Sequence, residues 1–295
     1  MRVGMTLPVM EPDLDADVLE AWCRAVDEGP FSSLCFGERM AFDNPEALTL
    51  LGAVAAWTSR VEVVLTVLVP QLHDPVMLAK ALATADVLTK GRLTVGLGVG
   101  GRREDYLAVA ADPATQTMAE LEARALTMKR VWAGEKVTDA VRPVGPAPVQ
   151  PGGPPLLVGT MGPRTMRSAV TWADGLAGVS MDLDLAGVAA LYDVARAAWR
   201  EAGRGAPRLC TSTWFALDDG DGAAREQVHR HLLHYLNWLP AAIVDPLARV
   251  SGFAGTEAEL RDLLKRLEDL GTDEVHLIPT GSDVRQVERV AALLS

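Results

Sequence analysis

Three glycines in the stretch GRLTVGLGVGGRREDY (91–106), Gly96, Gly98 and Gly101, fit G-x-G-x-x-G. That pattern can wrap a helix N-terminus around a dinucleotide pyrophosphate. Further along, Gly159, Thr160, Met161 and Gly162 lie between an apolar run and a Pro-led helix starting near Pro163. Free backbone N–H groups at such a helix start attract phosphate, and glycine permits close approach; an ordinary βα turn has the same composition. Ser180 ends the next apolar run and either donates to the same phosphate or caps the following helix. Histidine as a residue type exchanges protons near neutral pH, so His73, in QLHDP, is a candidate proton donor, a helix cap or a ligand contact. His229, His231 and His234 are spaced by two and three residues, so only His231 and His234 share a helical face. No acid completes an H-E-x-x-H pattern, and the three cysteines, Cys23, Cys35 and Cys210, are widely spaced. Neither a metal site nor a disulfide framework is therefore expected. Trp214, Tyr235 and Trp238 suit an apolar substrate pocket, although core packing explains aromatic residues equally well.

The elements around these residues decide what the glycines mean. Apolar, β-branched runs at 2–7, 31–36, 61–69, 92–98, 155–160, 175–180, 208–217 and 274–279 read as strands. Helical periodicity or Pro-led starts fall at 14–28, 44–59, 74–89, 117–133, 163–173, 184–202, between 222 and 248, at 257–270 and at 283–294. The helix at 44–59 is expected to begin with Asn44 as its cap. Eight strands, each followed by helix, predict an α/β fold, a (β/α)8 barrel formed by residues 1–295 as a single domain. Loops at 101–116 and 240–255 are expected as insertions at the C-terminal face, and the Pro/Gly-rich stretch 142–155 as an excursion over the barrel mouth.

In this frame three βα units precede the glycines, whereas a dinucleotide fingerprint occupies the first. Glu120 and Glu122, near where an acid for the ribose would fall, lie within a helical pattern. Gly96 and Gly98 are inside a strand, where glycine marks close approach of a ligand or another chain segment. The sequence thus reads as a barrel strand cleared of side chains at its C-terminal end so that a flat ligand can lie there.

Of the 295 residues, 49% are hydrophobic and 23% charged, and the formal net charge is −11. This acidic balance argues against nucleic-acid binding and against anionic membranes. No signal peptide and no membrane-spanning run are read, so a cytoplasmic protein acting on a small molecule is expected.

DPVMLAKALATADVLTKGRLTVGLGVGGRREDY (74–106) resembles the signature stretch of the bacterial luciferase-like flavin and deazaflavin oxidoreductases: a Pro-led helix, then G-R-x-x-x-G-x-G-x-G. Residues 154–180 resemble the phosphate-holding loop and following strand of that family, and 255–279 its C-terminal segment. The resemblance implies a (β/α)8 barrel binding the deazaflavin coenzyme F420, with FMN as the alternative, its ring in the barrel mouth. It implies that Gly98, Gly100 and Gly101 form a floor beside the ring. It implies a non-proline cis peptide at Thr66–Val67 behind the ring, where a regular buried strand is the other possibility. Many members carry an acid followed by histidine where this chain has Glu38 and Arg39. An arginine does not act as a base near neutral pH. Arg39 would instead anchor an anionic substrate or pair with Glu38. Alcohol oxidation is therefore disfavoured against hydride transfer to a C=C or C=N bond. Glu38, Arg39 and His73 are the candidate catalytic residues. Arg102, Arg103 and Arg164 are candidates for a basic strip facing the acidic F420 tail. The alternatives are an FMN-dependent monooxygenase using oxygen, or a barrel that binds cofactor without turnover. A homodimer and a separate cofactor reductase are further expectations of the resemblance.

Overall fold

In the computed structural model, residues 1–139, 141–159, 162–178 and 184–295 are described. Strands β1 (Arg2–Thr6), β2 (Ser33–Phe36), β3 (Glu62–Leu68), β4 (Leu93–Leu97), β5 (Leu156–Val158), β6 (Gly175–Ala177), β7 (Arg208–Leu217), β8 (Phe253–Gly255) and β9 (Glu274–Pro279) alternate with helices. The helices are α1 (Ala16–Glu28), α2 (Ala47–Trp57), α3 (Pro75–Leu88), α4 (Arg103–Ala108), α5 (Met118–Trp132), α6 (Pro163–Ala169), α7 (Leu185–Glu201), α8 (Ala223–Tyr235), α9 (Ala241–Val250), α10 (Glu257–Asp269) and α11 (Arg285–Leu294). All strand pairings are parallel. The sheet runs from β1 through β6 to β7, then through β9 back to β1, closing a ring of eight. These are the eight strands read from the sequence. The short β8 is an addition, pairing with Phe215–Leu217 at the outer end of β7 within a segment expected to be loop.

Local chemistry explains the helix starts. Asp74 accepts from the backbone N–H of Val76 and Met77, with Pro75 at the first helical position of α3. Thr256 and Glu259 cap α10 reciprocally. The cap of α2 is Glu46 rather than the expected Asn44, because the Glu46 carboxylate reaches Leu48 and Thr49 N–H while the Asn44 amide donates to Pro45 O.

The main core fills the barrel and the space under its helices, with Trp22, Phe36, Leu65, Trp172 and Trp199 all essentially inaccessible. A separate apolar cluster, including Trp214, Val228, Leu232, Leu236 and Val244, holds the α8–α9 pair against β7. Insertions rise from the C-terminal face after β4, where α4 stands, and after β7, where α8, α9 and β8 stand. The stretch 142–155 does not cross the mouth. Val149 and Gln150 N–H donate to Asp86 near the end of α3, and the Gln150 amide donates to Leu93 O at the start of β4. It connects a helix end to a strand start, so it closes the opposite face. Among the described residues no helix is long and apolar enough to cross a membrane.

Candidate active site at the barrel mouth

The centre of the mouth is a bulge in β3. Leu65 pairs with Val95 and Leu68 with Leu97, so β3 carries one extra residue, and the Thr66–Val67 peptide is cis. Glycines on three neighbouring strand ends make room for it. A Cβ on Gly37 would lie 2.7 Å from Thr66 O, on Gly98 2.9 Å from Val67 Cγ2, and on Gly159 2.9 Å from Val67 Cγ1. A Cβ on Gly96 would come within 2.6 Å of Leu65 O. Gly98, one of the three glycines expected to floor a ring, thus admits the half-buried Val67 side chain, which packs against the cluster of Leu157, Ala177 and Cys210. Gly100, at φ +66°, turns the chain away from β4 beside Val69, and Gly101 faces the Trp238 ring.

Glu38 braces this bulge. Its N–H donates to Val67 O at 3.1 Å, and its carboxylate accepts from Val69 N–H at 2.9 Å. The other carboxylate oxygen meets His73 Nε2 at 2.7 Å. The Glu38 side chain is 1% exposed, so both oxygens are committed within the protein. Glu38, His73, Thr66 and Val67 are thus brought together.

Arg39 points elsewhere. It does not pair with Glu38; its Nε lies 3.5 Å from Asp105 Oδ2, and its Nη1 donates to Tyr235 O at 3.5 Å. Its guanidinium carbon lies 4.3 Å from the Phe42 ring centroid and 5.7 Å from that of Tyr235. Arg102 reaches the same place, 4.7 Å from the Tyr235 centroid and 5.3 Å from that of Trp238. Burial, and then the positive charge of Arg102, pulls the Arg39 guanidinium below its usual range, with Asp105 opposing only in part. Asp105 Oδ1 accepts from Met40 and Ala41 N–H, which fixes the loop after β2 against α4. The basic strip expected from Arg102, Arg103 and Arg164 is not assembled: Arg102 turns inward, while Arg103 and Arg164 are exposed.

A second histidine–carboxylate pair borders this group. His231 Nδ1 and Glu11 Oε1 are 2.5 Å apart, both residues are buried, and His231 stacks on Tyr235 at 6.0 Å between centroids. Its Nε2 is buried with no hydrogen-bond partner among the described residues.

On the phosphate side, the Gly159 N–H donates to Leu97 O at 2.8 Å, so Gly159 serves by its lack of a side chain and not as a donor. Gly162 caps α6. Thr160, Met161 and Ser180 lie outside the described residues.

Phe42, Glu11 and Asp105 had no signal in local spacing, since each acquires its meaning from a partner far along the chain. The same holds for Cys210, Glu274 and His276, whose ligand-type atoms gather within 4.8 Å inside the barrel. There the Arg208 guanidinium already supplies the cation on Glu274.

An eight-stranded parallel barrel with a glycine-ringed bulge and charged loops at its C-terminal mouth has the architecture of the (β/α)8 class, whose functional sites lie at that face. Residues 1–274 match the family described as luciferase-like monooxygenase, and the chain belongs to that family. An uncharacterized Mycobacterium tuberculosis protein is 34% identical over 172 residues, 54% of this chain and 58% of that protein. An F420-dependent glucose-6-phosphate dehydrogenase of Kineococcus radiotolerans is 34% identical over 153 residues, 47% of this chain and 44% of that protein. The chain thus spans about half the length of the curated relatives it matches. Among solved structures, an F420-dependent secondary alcohol dehydrogenase in complex with an F420–acetone adduct superposes with a TM-score of 0.81 at 15% identity, over 99% of this chain and 97% of that one, which shows a shared fold.

Proposed function

We propose that this chain is an F420-dependent oxidoreductase acting on a small organic substrate. The observation that carries the reading is the Val67 bulge, ringed by Gly37, Gly96, Gly98 and Gly159, which offers a flat ring a partly exposed apolar backing at the mouth. The F420-dependent relatives support this cofactor over FMN. When bound, the deazaflavin supplies hydride transfer, and the protein supplies orientation and electrostatics. Val67 backs the ring, Glu38 holds the bulge in place, and Gly162 with the start of α6 takes the phosphate. His73, oriented through Nε2 by Glu38, is the proton donor for a reduced substrate. Arg39, where the family resemblance leads one to expect a histidine, does not remove a proton from an alcohol. The direction favoured is therefore reduction of a C=C or C=N bond. A separate reductase would supply reduced cofactor in the cytoplasm. The outward apolar residues Met77, Val87 and Leu88 of α3 suit a homodimer.

The second reading, an FMN-dependent monooxygenase using oxygen, is favoured by the family's own description. Fluorescence titration of the purified protein with F420 and with FMN separates them. F420 binding at least tenfold tighter than FMN, followed by oxidation of reduced F420 in the presence of enones or imines, is the expected result. The reverse preference moves the chain to the FMN monooxygenases. Binding without turnover of any substrate leaves a cofactor-holding barrel.

A further inference from the structure

Among the described residues, the cations around Tyr235 outnumber the carboxylates at ion-pair distance. Arg39 has a side chain only 1% exposed, yet its five N–H donors make one hydrogen bond, the 3.5 Å contact to Tyr235 O. Arg102 makes no hydrogen bond or ion pair among the described residues, and its Nε is buried without a hydrogen-bond partner, as is that of Arg39, which has only the 3.5 Å ion-pair contact to Asp105. Among the described residues, Asp105 is the one carboxylate in ion-pair range of either guanidinium, and its other oxygen is engaged with Met40 and Ala41 N–H. Glu104, the neighbouring acid, is exposed. Buried cations are normally paired, and an unsatisfied one points to an ion or ligand that completes the site. Among the described residues, two guanidinium charges thus face one carboxylate at ion-pair distance, with the exposed Glu104 attracting Arg39 from further off. Phe42 and Tyr235, half-buried, and Trp238, exposed, present aromatic surface beside them.

We propose that Arg39 and Arg102 form the receptor for a carboxylate of the substrate, carried on an apolar, flat body that lies against Phe42, Tyr235 and Trp238. This rests on the reading of the mouth as the active site and names the class of substrate it takes. A monoanion matches the excess of two guanidinium groups over one carboxylate at ion-pair distance, and a carboxylate offers lone pairs to two planar guanidinium groups at once. The three loops that contribute, after β2, after β4 and after β7, are joined by Arg39, Arg102 and Tyr235. The anion would therefore complete their contact as well as position the substrate.

Calorimetric titration of the F420-loaded protein with trans-cinnamate and with its neutral isostere trans-cinnamamide tests this. Cinnamate is expected to bind at least tenfold tighter at low ionic strength. Arg102→Gln is expected to reduce that preference to less than threefold while leaving F420 affinity within twofold. Arg39→Met is expected to do the same, and Arg102→Gln, at the less buried position, keeps the test available if Arg39→Met does not fold. Equal binding of acid and amide by the wild type overturns the proposal, as does a preference that survives both substitutions. If the variants weaken F420 but not the deazaflavin chromophore lacking its phosphate and glutamate tail, the anion held is the cofactor's own, which also overturns it. If neither F420 nor FMN binds, the cofactor reading fails, and the cinnamate-to-cinnamamide ratio on the cofactor-free protein still decides the subsite.

Discussion

Two arginines, Arg208 half-buried and Arg39 buried, stand at opposite ends of the barrel and differ in what surrounds them. At the strand starts, Arg208 donates to Glu62 at 2.6 and 2.9 Å and also to Glu274, whose other oxygen accepts from Ser32 and Ser33 hydroxyls. Burial works against the charge on Arg208, but its bonds to Glu62 and the charge of Glu274 hold the guanidinium above its usual range. At the mouth, Arg39 has one carboxylate at 3.5 Å and a second arginine beside it, and is held below its usual range. In the first arrangement both terminal nitrogens of Arg208 meet carboxylates within the chain, its Nε alone lacking a hydrogen-bond partner, and the network ties β3, β7 and β9 together. In the second, among the described residues, one weak hydrogen bond and one carboxylate at 3.5 Å serve the whole guanidinium. The comparison sets a charge balanced by two carboxylates of the fold against one that, on the proposal above, a ligand would balance.

Arg208→Met probes the first arrangement and has the largest expected effect. It removes the main cation from Glu62 and Glu274, leaving the half-exposed Arg2 beside both and His276 beside Glu274, a loss of about 3–5 kcal/mol. Chemical denaturation should show it as a large fall in midpoint or as failure to accumulate folded protein; a loss below about 1 kcal/mol would remove the distinction between the ends.

Gly98→Ala comes next. The new methyl lies 2.9 Å from Val67 Cγ2, and overpacking of this kind costs about 1–3 kcal/mol. In a Val67→Ala background the same substitution should cost less than half as much. A double-mutant cycle by urea denaturation reads the coupling, and additivity would show that the glycine does not serve Val67.

The acid limb of stability sharpens the contrast further. Burial would raise the Glu274 carboxyl, but His276 and Arg208 outweigh it and hold it well below the usual carboxylate range. A depressed folded pKa gives stability that is complete above the unfolded value near 4.5 and is lost as pH falls below it, by about 1.4 kcal/mol per unit for this group. Arg39→Met should leave that slope unchanged. A flattened slope in Arg39→Met would place the acid sensitivity at the mouth.

Arg39→Met itself should have the smallest effect on stability, within about 1 kcal/mol of wild type, because a poorly paired buried cation is replaced by an apolar chain of similar length. Thermal unfolding checks it, and a loss comparable to that of Arg208→Met would collapse the comparison.

Much of the barrel was legible in the sequence. The β-branched runs, the Asp74–Pro75 start and the glycines of 96–101 are local patterns, each decided by residues within a few positions of one another. They led to the eight strands, while the cis peptide at Thr66–Val67 was expected only from the family resemblance. What was misread involved distance. The stretch 142–155 was placed over the mouth because its composition says loop but not which face. Three residues of β8 carry no periodicity. Nothing in the neighbourhood of Gly98 says that Val67, about thirty residues earlier, packs against it.

The sequence alone determined the alternation of strand and helix, the Pro-led start of the helix at 74–89, and the absence of a base at position 39, since these depend on residue type and short-range periodicity. Tertiary structure alone decided that Arg39 meets Asp105 and Tyr235 rather than Glu38, that Glu38 takes His73, and that Glu11 orients His231 across 220 positions of chain. The physical reason is closure of the barrel. Side chains far apart in sequence become neighbours only when β9 pairs with β1 and the loops above the ring share one mouth.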